Sequence, residues 1–136
     1  MHLTIEQGLA MTFSITIPRL PPAECSPNSR LHWRPKAAAI RIAKDEAIAA
    51  VKEQGWSGPP IQAALIHVSW GVKDKGKRRD PDNFVARTKP FMDGIVIAGV
   101  IADDSRFHVR YQYGWHEAKQ SETVITIEPA PIEEAI

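Results

Sequence analysis

The sequence predicts a small α+β domain in which two helices cover a mixed β-sheet. Strand patterns and helix patterns follow one another in the order β-α-β-α-β-β, and no segment repeats. The chain has 136 residues, which suits one domain with a single core. We therefore expect one domain over residues 11–136 and a loose extension over residues 1–10, which show no clear period.

The first part of the domain predicts a strand, a long loop and a helix. Residues 12–17 (TFSITI) alternate and are rich in β-branched side chains, which favours a strand. Residues 18–32 contain four prolines and predict a loop, and loops of this length in a small domain are often functional. Pro35 suits the first turn of a helix that runs to about Gln54 and ends at Gly55.

The middle of the chain predicts a second strand and a second helical region. Residues 61–72 place small and apolar residues at alternate positions, so one face of this strand is buried. The helical region spans about residues 84–96 and is closed by Gly99. Pro90 removes an amide donor, so either this helix kinks or a new helix begins near Lys89.

Two short strands are predicted near the end of the chain, over residues 109–115 and 123–128. Because they follow one another closely, we expect them to pair as a hairpin. Trp56, Trp70 and Trp115 are expected to pack in or against the core, since large aromatic side chains bury much apolar surface.

Composition excludes several classes of protein. The content of 43% hydrophobic and 24% charged residues is ordinary for a soluble globular domain. Cys25 is the single cysteine, so no intrachain disulfide can form, which fits a reducing compartment. No apolar run approaches the roughly 20 residues that span a bilayer, and no cationic-then-apolar segment opens the chain. We expect a cytoplasmic protein without a membrane partner.

Basic residues are concentrated in two segments although the formal net charge is only +1. Residues 28–44 contain five basic and no acidic residues, and residues 73–79 contain five basic residues and one acid. Such a chain can present a basic face to a polyanion. Trp33 either lies against nucleic acid or covers the edge of the core. The residues that we expect to contact a nucleic acid are Arg30, Arg34, Lys36, Lys75, Lys77, Arg78, Arg79 and Arg87.

Five aspartates follow the second basic segment, at positions 80, 82, 93, 103 and 104. Pro81 favours extended geometry at Asp80, so the carboxylates of Asp80 and Asp82 can face one point. Asp103 and Asp104 follow Gly99 on a turn that can fold back towards the helix start. Clustered carboxylates repel one another unless a cation joins them, and oxygen ligands suit Mg²⁺ or Mn²⁺. The alternative is that these acids only cap and solvate a helix.

Carboxylate-held magnesium beside lysines is suited to phosphodiester hydrolysis. The metal activates water and polarises the phosphate, and a lysine offsets charge that develops in the transition state. The basic segments would supply a sequence-independent hold on a phosphate backbone. A non-catalytic nucleic-acid-binding module would need the basic residues but not the acids, and it remains the alternative.

Three motifs in order resemble the RusA family of Holliday junction resolvases, which are endonucleases that cut four-way DNA junctions. The motifs are RRDPDN at 78–83, KPFMDG at 89–94 and AGVIADDS at 98–105. The resemblance is strong over residues 77–105, looser over residues 12–34 and absent from the first ten residues. It implies a metal-dependent endodeoxyribonuclease of DNA recombination and repair, in a small α/β fold, and relatives often occur in prophages.

The resemblance also implies roles for individual residues. Asp80, Asp82 and Asp104 match the metal-binding aspartates, and Asp103 is a further acid beside them. The essential lysine falls on Lys89, with Arg87 as the alternative cation because three residues are inserted before it. The implied cofactor is Mg²⁺, with Mn²⁺ as the alternative, and the implied partners are branched DNA and a second copy of the chain.

A symmetric homodimer also follows from the substrate, since a four-way junction has two like strands related by approximate two-fold symmetry. A broader nuclease that cuts flaps or forks is the alternative within the enzyme class.

Overall fold

The computed structural model describes residues 12–26, 33–74, 81–103 and 109–130. These residues form a four-stranded mixed sheet and two long helices, which confirms the predicted α+β class. A short 3-10 helix lies between the first strand and the first long helix. In chain order the elements are β1 (Phe13–Ile17), α1 (Trp33–Gln54), β2 (Ala64–Val72), α2 (Pro81–Ile97), β3 (Val109–Glu117) and β4 (Glu122–Pro129).

The strands lie in the order β1-β4-β2-β3. β2 and β3 are parallel and are joined through α2, while β4 is antiparallel to both β1 and β2. The predicted hairpin of β3 and β4 is therefore wrong, because β2 lies between them. The Ala118 amide donates to the Val72 carbonyl at 3.0 Å where the short connection passes the end of β2.

Gly71 leaves room for side chains from both neighbouring strands. A Cβ at this position would lie 2.8 Å from His116 Nε2 and would also collide with the side chain of Glu122. A larger residue at position 71 would have to displace the side chains of His116 and Glu122.

The element boundaries mostly follow the sequence signals. α1 begins two residues before Pro35 and ends at Gly55, whose φ of 77° suits a glycine after a helix. β2 begins at Ala64 rather than at Ile61, which instead forms an isolated bridge with Ile101.

α2 continues through Pro90 as one helix, so a separate helix beginning near Lys89 is wrong. Phe84 and Phe91 lie on either side of this proline and are both buried in the same core. Burial of the two rings together stabilises by about 3–6 kcal/mol, which offsets the roughly 3 kcal/mol that a proline inside a helix costs.

Both helices pack on one face of the sheet, and alternate strand residues point towards them. Phe13, Ile66, Val68 and Ile127 are among the buried residues of this face. Trp70 is buried, and Trp56 and Trp115 pack against the core, which confirms their predicted role. A Cβ at Gly94 would lie 2.8 Å from Ala47 Cβ, so the glycine lets α2 approach α1 closely.

The opposite face of the sheet is polar, and no described element covers it. Exposed side chains on this face include Ser14, His67, Arg110 and Gln112. Across the described ranges, no helix is long and apolar enough to cross a membrane.

Candidate functional site

The start of α2 lies at the carboxyl end of β2. Pro81 is the first helical residue, which its fixed φ and missing amide favour, so the backbone of Asp82 lies in the first turn. Phe84 fixes this end, because its ring stacks on Trp70 with centroids 4.3 Å apart. It also makes edge contacts with Tyr113 and Trp115, both at 5.0 Å. The side chain of Asp82, and all of Asp80 and Asp104, lie outside the described residues.

Asp103 lies near the other end of α2. It follows Ile101, whose backbone pairs with Ile61 just before β2 begins. Phe84, in contrast, lies beside Trp70 near the end of β2, roughly 20 Å further along the strand direction. The turn after Gly99 therefore does not carry Asp103 back to the start of α2 within one chain. Among the described residues, no group of three potential ligands is close enough to hold a metal ion.

Lys89 lies two turns into α2 and points towards solvent. Its side chain is 56% exposed, and its Nζ lies 2.9 Å from Asp93 Oδ1, one turn further along. Exposed pairs of this spacing contribute only about 0.3–0.5 kcal/mol. Lys89 therefore lies at the surface of α2, where solvent reaches its side chain.

Arg87 is only two residues away but points inward. Its guanidinium lies 4.7 Å from the centre of the Trp70 ring and donates through Nη2 to the Pro21 carbonyl. Burial lowers the pKa of this guanidinium, while Cys25 and Glu24 act in the opposite direction. Arg87 Nε is buried without a hydrogen-bond partner among the described residues. This arrangement links α2 to the segment before α1.

The other residues predicted to bind nucleic acid fall into two groups. Arg34 is exposed in the first turn of α1, and Lys36 is half-buried with its Nζ 3.4 Å from the Ser26 carbonyl. Arg30, Lys75, Lys77, Arg78 and Arg79 lie outside the described residues, as does the side chain of Trp33. Lys73, just after β2, is exposed and continues the basic segment into the described part of the chain.

Two features of the structure were not predicted from the sequence. Tyr111 and Tyr113 of β3 lie next to Lys89 of α2 and line a groove with it. The sequence shows that the two tyrosines lie at alternate positions of the strand. Which residue of α2 lies next to them depends on how the helix packs on the sheet.

The second feature is a polar relay on the open face of the sheet. Ser69 Oγ lies 2.6 Å from His116 Nδ1, and His116 Nε2 lies 2.6 Å from Glu122 Oε2. This relay links β2, β3 and β4. Ser69 lies 47 residues before His116, whereas Glu122 lies only six residues after it.

Comparison with known proteins assigns no activity. No protein-family model matches the chain. The chain is 36% identical over 103 residues to a protein of Xylella fastidiosa (strain Temecula1) that is named as an uncharacterized protein. The alignment covers 74% of this chain and 65% of that protein, so the chain spans less than two thirds of its relative's length.

Proposed function

We propose that this chain is a metal-dependent endodeoxyribonuclease that resolves four-way DNA junctions in recombination and repair. The observation that carries the proposal is the ordered set of motifs RRDPDN, KPFMDG and AGVIADDS around α2. The described part of α2 supports it, because an Asp-containing first turn is followed on the same helix by an exposed lysine. The enzyme would act in the cytoplasm.

We propose roles for several residues of α2, its flanks and the start of α1. Asp80 and Asp82 would hold Mg²⁺ or Mn²⁺, which when bound polarises a phosphate and acidifies a bound water. Lys89 would offset the negative charge that develops on the phosphate in the transition state. Asp93 would orient the Lys89 amine through the 2.9 Å ion pair. Arg34, Lys36 and the basic segment before α2 would contact the DNA backbone.

The remaining acids would come from a second copy of the chain. Asp103 lies roughly 20 Å along the sheet from the level of Phe84, whereas Mg²⁺–oxygen distances are about 2 Å. We infer that Asp104, with Asp103 beside it, enters the site of the other subunit in a two-fold dimer. Two such sites would act on the two like strands of a junction and make paired nicks.

Complementation between inactive variants tests this shared site. Asp80→Asn and Asp104→Asn proteins are refolded together and assayed on a labelled four-way junction with Mg²⁺. A shared site leaves one intact centre in each mixed dimer, so single nicks should appear although each parent is inactive. If each chain holds its own complete site, every centre in the mixed dimer is damaged, and no cleavage should appear.

The placement of Asp103 also favours a second candidate, a non-catalytic module that binds branched DNA. In that case the acids near α2 only cap and solvate the helix. Binding to a four-way junction in EDTA, without cleavage in Mg²⁺ or Mn²⁺, would support this alternative. Cleavage of flaps and forks at rates equal to the junction would instead indicate a broader branched-DNA nuclease.

A further inference from the structure

A small groove lies between α2 and the edge strand β3. Its volume is about 190 Å³. Pockets for drug-sized ligands usually exceed about 300 Å³, so this groove suits a single planar ring system. It is lined by Val85, Thr88, Lys89, Met92, Tyr111 and Tyr113.

The two tyrosines present their rings in a fixed arrangement. Tyr111 and Tyr113 lie two positions apart on β3 and therefore point to the same face. Their ring centroids are 5.6 Å apart and the rings are within 18° of parallel. Phe84 supports Tyr113 edge-on, with centroids 5.0 Å apart. Rings that are already held in place lose little conformational freedom when a ligand stacks on them.

The groove also combines apolar surface with one positive charge. Val85 is 45% exposed and Tyr113 is 36% exposed, so apolar surface is accessible at the groove. The exposed Lys89 amine belongs to the same groove. Burial raises the pKa of the Tyr113 hydroxyl, against a smaller opposing effect of Lys89, so the phenol stays neutral and does not repel an anion. Aromatic faces beside a cation are the features that bind unpaired nucleotides.

We propose that this groove stacks one unpaired base of the DNA substrate, next to the phosphate that Lys89 contacts. The inference rests on the proposed nuclease function and adds a subsite to it. A branch point supplies bases that are partly unstacked, so the energetic cost of placing one in the groove is low there. Tyr111 and Tyr113 would then hold the nucleotide that flanks the cleaved bond.

Affinity measurements in EDTA separate this subsite from cleavage. The probes are a fluorescent four-way junction and a short single-stranded oligonucleotide, and the variants are Tyr113→Leu and Tyr113→Phe. Loss of one stacked base weakens binding roughly five- to a hundred-fold. Tyr113→Leu should show that loss for both probes. Tyr113→Phe keeps the ring and should remain within about twofold of wild type. Thermal melting verifies that both variants fold.

A charge change at the groove provides a second test that leaves the hydrophobic core unchanged. Val85→Glu places a negative charge at an exposed position beside Lys89 and should weaken binding of both probes. Ile97→Glu is its matched control, because Ile97 is 64% exposed at the last residue of α2 and does not line the groove. The control should retain more of the wild-type affinity than Val85→Glu.

Photo-crosslinking locates the base directly. A junction with 5-iodouracil at the branch point should crosslink to the peptide that contains Tyr111 and Tyr113.

Equal affinities of Tyr113→Leu and Tyr113→Phe would overturn the inference, as would absence of DNA binding by wild type. A Tyr113→Leu protein with altered sedimentation but unchanged DNA affinity would also overturn it, since the groove would then hold a second copy. Ring-dependent binding without cleavage would support the subsite and refute the nuclease.

Discussion

Arg87 and Lys89 are two cations only two residues apart on α2, and they lie in opposite environments. Arg87 is half-buried against Trp70 and donates to the Pro21 carbonyl. Lys89 is 56% exposed and makes a surface ion pair with Asp93. On a helix, two positions differ by about 200° around the axis, so one side chain points inward when the other points outward. The sequence alone offers both residues as the cation of the proposed site, and the packing of α2 places them in different environments.

This difference separates the packing side of α2 from the side on which we propose that the reaction takes place. The inward side of α2 carries Phe84, Thr88 and Phe91, which are buried against the sheet. The outward side carries Lys89, whose side chain is 56% exposed. A change on the inward side should therefore alter stability first, and a change on the outward side should alter cleavage first.

The largest expected effect is at the start of α2. Asp80→Asn should lower the rate of junction cleavage by at least roughly a hundred-fold, since it removes a charged ligand from the proposed metal site. Junction affinity in EDTA should stay within about twofold, because phosphate attraction depends on the basic residues. Gel assays of cleavage and binding on the same preparation test this prediction. Equal cleavage by Asp80→Asn and wild type would rule out Asp80 as an essential ligand.

The second effect concerns stability on the inward side. Arg87→Met keeps apolar contact with Trp70 but leaves the Pro21 carbonyl without its charged donor, which should cost about 1–3 kcal/mol of unfolding free energy. Lys89→Met is the matched control and should change that free energy by less than about 0.5 kcal/mol. Urea unfolding followed by tryptophan fluorescence measures both. Similar losses of unfolding free energy in the two variants would contradict the predicted difference between Arg87 and Lys89.

A third effect links Arg87 to the segment before α1. Cys25 is buried, and burial raises the pKa of its thiol, so alkylation at pH 8 should be slow. In Arg87→Met the segment before α1 should open more often, which exposes the Cys25 thiol to water and returns its pKa towards the ordinary value. Loss of the Arg87 charge acts in the opposite direction and raises that pKa, but this effect is smaller than that of burial.

Alkylation of Cys25 by iodoacetamide should then be roughly ten-fold faster in Arg87→Met, which corresponds to about 1.4 kcal/mol of local opening. Lys89→Met should label as slowly as wild type. Mass spectrometry of the intact protein follows both reactions. An unchanged rate in Arg87→Met would show that its contact with Pro21 does not restrain this segment.

The smallest effect is expected from the partner of Lys89. Asp93→Asn removes one half of an exposed ion pair and should change the free energy of unfolding by only about 0.3–0.5 kcal/mol. Its effect on cleavage should be a few-fold, because the amine loses orientation but remains present. Thermal melting and single-turnover cleavage on one preparation test the two expectations. A loss of cleavage as large as in Asp80→Asn would place Asp93 among the essential residues.

Local signals in the sequence predicted most of the elements. The end of α1 at Gly55 and the closing glycine at position 99 depend on backbone conformations that glycine adopts readily, and both have positive φ. The alternating pattern of β1 and β2 depends on one buried face. Such features are determined by neighbouring residues and can be found without a structure.

Features that depend on distant contacts were missed. The hairpin of β3 and β4 failed because β2 pairs with both strands, and proximity in sequence cannot show this. The position of Asp103 depends on the bridge between Ile101 and Ile61, which are 40 residues apart. For the same reason Tyr113 was not linked to Lys89. The neighbours of a residue across elements could therefore not be predicted from the sequence alone.

Cleavage of a labelled four-way junction by three proteins tests the central claim most directly. Wild type, Arg87→Met and Lys89→Met are compared at equal folded concentration, below their melting temperatures, with Mg²⁺ and with EDTA. We predict cleavage by wild type only with Mg²⁺, a rate within about fivefold for Arg87→Met, and a loss of roughly 10²–10³-fold for Lys89→Met. Full activity of Lys89→Met together with an inactive, folded Arg87→Met would contradict the account, as would absence of cleavage by wild type.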